Sequence, residues 1–119
     1  MNDAKTTLKD LRIMVEKLVN EREWQQFHSP KNISMAISIE ANELMEKFLW
    51  CDTEQSRREM QQNRKEIEEE FADVFITLLL FANSAEIEIA KAVEDKIAKI
   101  AQKYPVDKAK GKSLKYDKL

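Results

Sequence analysis

The sequence predicts an all-α fold, and three observations carry that prediction. Its 119 residues include one glycine and two prolines, too few to supply the turns an all-β domain needs. Charged residues make up 35% of the chain, and Ala, Leu, Ile, Glu and Lys dominate, which is the profile of amphipathic helices. Apolar residues recur at helical spacing in four successive stretches. The length fits one domain over residues 1–119 with a modest core, a size at which helical chains commonly add a dimer interface.

The first helix is expected from about Thr7 to Gln26, where Leu8, Leu11, Val15 and Leu18 share a face. Ser29-Pro30 reads as an N-cap followed by proline at the first helical position, opening a second helix that runs to about Trp50. Asp52 and Thr53 cap a third helix reaching Ala82. Its first half, Glu54 to Glu70, is polar, and its second half is apolar on all sides, as in a helix surrounded by protein. Asn83-Ser84 breaks the pattern. A fourth helix runs from about Ile89 to Lys103 and stops at Tyr104-Pro105. Residues 104–119 form a basic tail, with the single glycine Gly111, that orders, if it orders, against the body or a ligand.

Net charge is −2, but unevenly distributed. Residues 1–95 carry 12 Lys+Arg against 20 Asp+Glu, whereas residues 96–119 carry eight lysines against two aspartates. An acidic body and a basic end suit a metal at one place and phosphates at another, although solvated surface lysines are the ordinary meaning of such a tail. With the body acidic, nucleic acid is not an expected partner. Cys51 stands alone, so no intramolecular disulfide forms and a reduced, cytoplasmic setting is expected. The first residues lack an apolar leader pattern. The longest apolar run, Val74 to Ala82, contains Thr77 and is far short of the ~20 residues that span a bilayer, so no membrane is expected either.

Two pairs of acids fall where acids are costly. With Ile33 as origin, Ile37, Leu44 and Phe48 lie at about +40°, +20° and +60° on the second helix, marking its buried stripe. Glu40 falls inside the stripe at about −20°, and Glu43 beside it at about −80°. On the third helix, with Ile67 as origin, Phe71, Val74 and Leu78 mark the stripe, and Glu70 and Asp73 flank it at about −60° and −120°. Each pair has i,i+3 spacing, so its two side chains point the same way. Antiparallel packing of the two helices would converge four carboxylates, which cannot share a pocket without cations. All-oxygen ligands suit Mg²⁺ or Mn²⁺.

Other chemistries lack their residues. Zinc sites want Cys and His, and Cys51 and His28 are isolated. There is no Glu-x-x-His pair for a di-iron bundle, no second histidine for a nucleophilic triad, and no Gly-rich phosphate loop. His28 reads as a structural or rim residue. What remains is a carboxylate-bound Mg²⁺ that directs water onto phosphorus. The residues by themselves leave a rival open: a non-catalytic helical module that binds nucleotide or another protein, its acids on the surface and its apolar third helix an interface.

The ordered motifs resemble those of the MazG-like, all-α nucleotide pyrophosphohydrolases, and within them the dCTP pyrophosphatase branch. That family carries ExxE on one helix and ExxD on the next, here Glu40-Ala41-Asn42-Glu43 and Glu70-Phe71-Ala72-Asp73. The segment from Glu21 to Asn32 is similar to the family's ERxWxQFHxPxN stretch, and Lys103-Tyr104-Pro105-Val106, Gly111 and Lys115-Tyr116 to its C-terminal signature. The resemblance spans about Leu8 to Leu119. It implies a four-helix core of antiparallel helices that assembles as a homodimer or a dimer of dimers, with sites built across subunits. It implies cleavage between the α and β phosphates of a nucleoside triphosphate, giving the monophosphate and pyrophosphate.

By position, the resemblance makes Glu40, Glu43, Glu70 and Asp73 the metal ligands, and Trp24 and Trp50 the aromatic residues enclosing the base, where stacking on indole is physically reasonable. Glu40 or Glu43, where not fully occupied by metal, is the candidate to take the proton of the attacking water. Lys96, Lys99, Lys103 and Lys110 are the candidates for the β and γ phosphates, acting as point charges. Three positions depart from the dCTP branch: Val15 replaces a histidine near the base, Thr77 a tyrosine, and Ile100 an asparagine near sugar or phosphate. All three lie on the nucleotide side, so they touch the preferred base and leave the reaction intact.

Overall fold

The chain was described through a computed structural model covering residues 1–119, and it contains helices and no strand. It forms two compact units, Met1–Glu86 and Ile87–Leu119. The first holds α1 (Leu8–Glu21), α2 (Pro30–Glu46), α3 (Thr53–Gln62) and α4 (Arg64–Ser84). The second holds α5 (Ile89–Lys103) and the single turn α6 (Val106–Ala109). No helix is long and apolar enough to cross a membrane.

Local chemistry sets the starts of the helices. Thr7 caps α1 with a capping box: its hydroxyl accepts from the Asp10 N–H, and the Asp10 carboxylate accepts from the Thr7 N–H. Ser29 caps α2 through the Asn32 N–H, with Pro30 at the first turn. Asp52 and Gln55 repeat the box at α3.

Helix ends differ from expectation in three places. The first helix stops at Glu21; Glu23 takes a left-handed conformation (φ 51°), and Trp24–Phe27 continue as a 3-10 helix. The second ends at Glu46 rather than Trp50, its last residues closing short turns such as Phe48 N–H to Met45 O. The third is two helices. Asn63, at φ −120° and ψ 32°, leaves the helical region, ends α3 through the Glu59 carbonyl, and offers its own carbonyl to the Ile67 N–H at the start of α4. Its side-chain amide also donates to Glu59 Oε2, a side-chain pair across the last turn of α3. At the other end α4 runs two residues past the expected Ala82 and stops at Ser84.

In the first unit α4 is the central element, with α2 and α1 packed against it. The buried apolar side chains are Val15 and Val19 of α1, Ile33 of α2, and Ile67, Leu79 and Ala82 of α4. Thr77 is buried among them and satisfies its hydroxyl by donating to the Val74 carbonyl at 2.7 Å. A polar clasp fixes α1 on α4: Arg12 Nε donates to Asn83 Oδ1 at 2.9 Å, and Asn83 Nδ2 donates to the Arg12 carbonyl at 3.0 Å. In the second unit the basic segment beyond Tyr104 is ordered against the end of α5. Tyr104 and Tyr116 meet edge to face at 6.1 Å, and the Lys103 and Lys115 ammonium groups lie 4.9 and 5.9 Å from the Tyr116 ring. Gly111, at φ 75°, makes the reversal that brings the segment back.

Replacing Asn83 by alanine removes both bonds of the clasp, the one accepted from Arg12 Nε and the one donated to the Arg12 carbonyl. Urea unfolding at fixed protein concentration is expected to show a loss of about 1–3 kcal/mol, against a change within error for Asn42→Ala on the exposed face of α2.

Candidate metal centre

The antiparallel pairing of α2 and α4 builds the site. Glu40 faces Asp73, Glu43 faces Glu70, and one turn further Lys47 meets Glu66; in each pair the residue numbers add to the same total, as an antiparallel register requires. One ligand atom from each of Glu40, Glu43, Glu70 and Asp73 lies within 4.8 Å of the others. Glu40 and Glu70 are half-buried and form the inner side, while Glu43 and Asp73 are exposed and form the rim.

The electrostatics are those of an unfinished site. Glu40 Oε2 and Glu70 Oε2 are buried and have no hydrogen-bond partner. Burial, reinforced by the neighbouring Glu43 carboxylate, raises the pKa of both groups; Lys47 opposes the rise at Glu70 alone. Two orphaned carboxylate oxygens within a cluster of like charges are compensated by a proton or by a cation. The donors are all oxygen and include both inner and solvent-facing carboxylates, a set that fits a hard divalent ion retaining some of its water.

The other residues singled out from sequence lie elsewhere. Trp24 is on the 3-10 turn after α1, beneath the Arg22 guanidinium at 5.7 Å, and borders an apolar groove of about 480 Å³ between α1 and α4. Val15 and His28 line the same groove. Trp50 follows α2 in a turn and is 91% exposed. Lys96, Lys99 and Lys103 belong to α5, where their spacing puts them on one face; Lys110 follows α6, and Ile100 is exposed on α5. Sequence reasoning missed the Lys47–Glu66 pair. Its signal was present in the i,i+4 spacing of Lys47 from Glu43 and of Glu66 from Glu70, the rule that had already joined the acids.

Comparison with known proteins places this geometry. The model of the MazG-like family matches residues 35–119, which include all four acids. The chain belongs to the MazG-like family. It is 36% identical to dCTP pyrophosphatase 1 of Rattus norvegicus over 115 residues, 95% of this chain and 68% of that one. Identity to dCTP pyrophosphatase 1 of Homo sapiens is 34%, again over 95% of this chain and 68% of the relative. A crystal structure of a pyrophosphatase from Archaeoglobus fulgidus superposes with a TM-score of 0.81 at 34% identity, covering 88% of this chain and 98% of that one. This MazG-like chain is thus an enzyme of the nucleoside triphosphate diphosphatase class, with the all-α fold of that family.

The raised pKa values of Glu40 and Glu70 fix the sign of a pH effect in the metal-free MazG-like protein. Folding disfavours their ionised forms, so their contribution to stability is full below the ordinary value of 4.5 and is lost as pH rises through the raised values. Asp10 acts oppositely and lower: the Thr7 hydrogen bonds depress its pKa, so its contribution is lost only as pH falls beneath the ordinary 3.8. In the presence of a chelator, the melting temperature is expected to climb as pH falls from neutral toward 4.5, and a Glu40→Gln/Glu70→Gln double variant to flatten the climb. A double variant with the wild-type slope would show that these two groups do not carry it.

Proposed function

We propose that this enzyme is a Mg²⁺-dependent nucleotide pyrophosphohydrolase that splits a pyrimidine deoxynucleoside triphosphate of the dCTP type into the monophosphate and pyrophosphate. The convergence of four carboxylates with two unpartnered buried oxygens carries the metal half of this reading. The dCTP pyrophosphatase relatives support the substrate half.

Glu40, Glu43, Glu70 and Asp73 hold the ion. A bound Mg²⁺, or Mn²⁺ in its place, supplies charge neutralisation at the phosphates and acidifies a water. The four carboxylates would hold the ion where it can serve that chemistry; in the reaction a water oxygen bonds to the α-phosphorus as the bond from phosphorus to the bridging oxygen breaks and pyrophosphate leaves. A Glu40 or Glu43 oxygen left free by the ion takes the water's proton. Trp24 and Trp50 enclose the base, offering indole faces exposed to ligand. Lys96, Lys99, Lys103 and Lys110 receive the leaving phosphates as point charges. Val15, apolar and buried beside the groove, brings no hydrogen bond to a base, and Thr77 spends its hydroxyl on the Val74 carbonyl, so base selection rests on stacking more than on these two positions.

The reading includes self-association, as a homodimer or a dimer of dimers. In the first unit Ile13, Met14 and Leu18 of α1 and Phe71, Ile76 and Leu78 of α4 are exposed. The outer face of α2 exposes Met35, Ile39 and Met45 opposite the face that packs on α4. Apolar surface of this extent around a small core calls for cover by a second copy.

Two experiments test this. Purified protein is incubated with a panel of dNTPs and NTPs plus Mg²⁺, and pyrophosphate and monophosphate are quantified. Release of both from dCTP, lost by at least about 100-fold in Glu43→Gln and Asp73→Asn (the scale for removing a stabiliser of transition-state charge), is expected; full activity in either variant would remove the metal assignment. Light scattering coupled to gel filtration is expected to give a multiple of the 14.0 kDa chain mass, and Leu18→Glu to shift it toward the monomer.

A further inference from the structure

The ladder of acids between α2 and α4 does not run out into solvent; a cation closes it. Lys47 is four residues beyond Glu43, and Glu66 four before Glu70, so both share the faces that carry the cluster. Lys47 Nζ lies 3.5 Å from Glu66 Oε2, and the Lys47 side chain is 32% exposed. The pairs Lys17–Glu21, Arg64–Glu68 and Lys91–Asp95, by contrast, join neighbours on one helix with both partners more than half exposed. One helical turn separates Lys47 from Glu43, so its charge also acts on the cluster itself.

We propose that Lys47 is a positioning residue for the divalent ion: it engages Glu66 so that this fifth carboxylate is not a ligand, and it confines the ion to the two rungs of Glu40, Asp73, Glu43 and Glu70. The inference rests on the metal reading above. Its physical basis is competition. Without Lys47, Glu66 would extend the acidic face by one turn, about 5.4 Å along the helix, and an ion could shift by that distance away from the attack geometry. A displacement of that size is far beyond what in-line chemistry tolerates. An ammonium on the last rung repels the ion from that end and weakens its binding, which trades affinity for place.

The test uses Mn²⁺ alone, followed by calorimetry or electron paramagnetic resonance on the full chain without nucleotide. Lys47→Gln leaves the ladder one charge more negative and frees Glu66, so Mn²⁺ affinity is expected to rise about three- to tenfold, the range for one charge acting through a half-exposed site. Glu66→Gln frees the ammonium to compete and is expected to lower affinity by a similar factor. The double variant restores the charge balance and should return to within about twofold of wild type, and Lys47→Arg should match wild type. A purely structural role would not produce opposite signs that cancel in the double variant. Unchanged or weaker Mn²⁺ binding in Lys47→Gln overturns the proposal, as does a raised KM for nucleotide with Mn²⁺ binding intact, which would make Lys47 a phosphate contact. Should Lys47→Gln fail to fold, Glu66→Gln and Lys47→Arg carry the same decision. A wild-type protein that binds no Mn²⁺ and hydrolyses no nucleotide would instead sink the metal reading on which this one stands.

Discussion

Like charges held together between two packed helices are the constraint on which the first unit is built. Four carboxylates with mutual ligand distances within 4.8 Å repel one another, and the inner two have oxygens removed from water without a partner. That arrangement survives only if the backbones of α2 and α4 are fixed by other means. Ile33 and Ile67, both buried, supply it from the same interface, seven residues before Glu40 on one helix and three before Glu70 on the other. The apolar contacts set the distance between helices, and the i,i+3 spacing sets which acids meet.

The rest of the unit holds α4 in place. α1 packs on its C-terminal half, and the Arg12–Asn83 clasp ties the two at a point remote from the acids, so α4 is fixed at both ends of its buried length. Asn63 has the complementary task. By releasing α3 from the helical path, it separates the polar residues Glu54 to Gln62 from α4, which packs chiefly on α2 and α1.

Much of this was legible in the sequence because helical period and acid spacing are local properties. Glu40 and Glu43 on one stripe, and Glu70 and Asp73 on another, follow from residue spacing, and the antiparallel pairing that brings them together needed only two adjacent helices. The caps at Thr7, Ser29 and Asp52 were legible for the same reason. What escaped was decided by competition between comparable terms. Asn63 sits in a polar run that reads as helix, and the break shows only in its backbone angles, φ −120° and ψ 32°, which periodicity does not register. Asn83 reads as a breaker, yet its amide is absorbed by Arg12, a partner 71 residues away. The segment after Tyr104 reads as a tail because lysines dominate it, and two tyrosines twelve positions apart order it. Lys47 was passed over because a lysine beside a cluster of acids has an ordinary meaning as surface charge; only its distance to Glu66 separates the two cases.

The stability of the folded chain therefore has an unusual distribution. Its buried apolar side chains are few, Val15, Val19, Ile33, Ile67, Leu79 and Ala82, and the acid cluster works against them. On the function proposed above, both deficits would be corrected from outside the single chain. A cation bound only by the native cluster adds RT ln(1 + [L]/Kd), about 2.7 kcal/mol at a hundred times Kd, and does so at the interface where repulsion is greatest. A second copy, in the self-association proposed above, would cover exposed apolar side chains of α1, α2 and α4 and so add burial on the helices that carry the acids. Both contributions would reach α2 and α4, so ion binding and assembly would each favour the one backbone arrangement in which the four acids converge. In such a protein the functional site is not an addition to a stable scaffold; occupying it completes the scaffold.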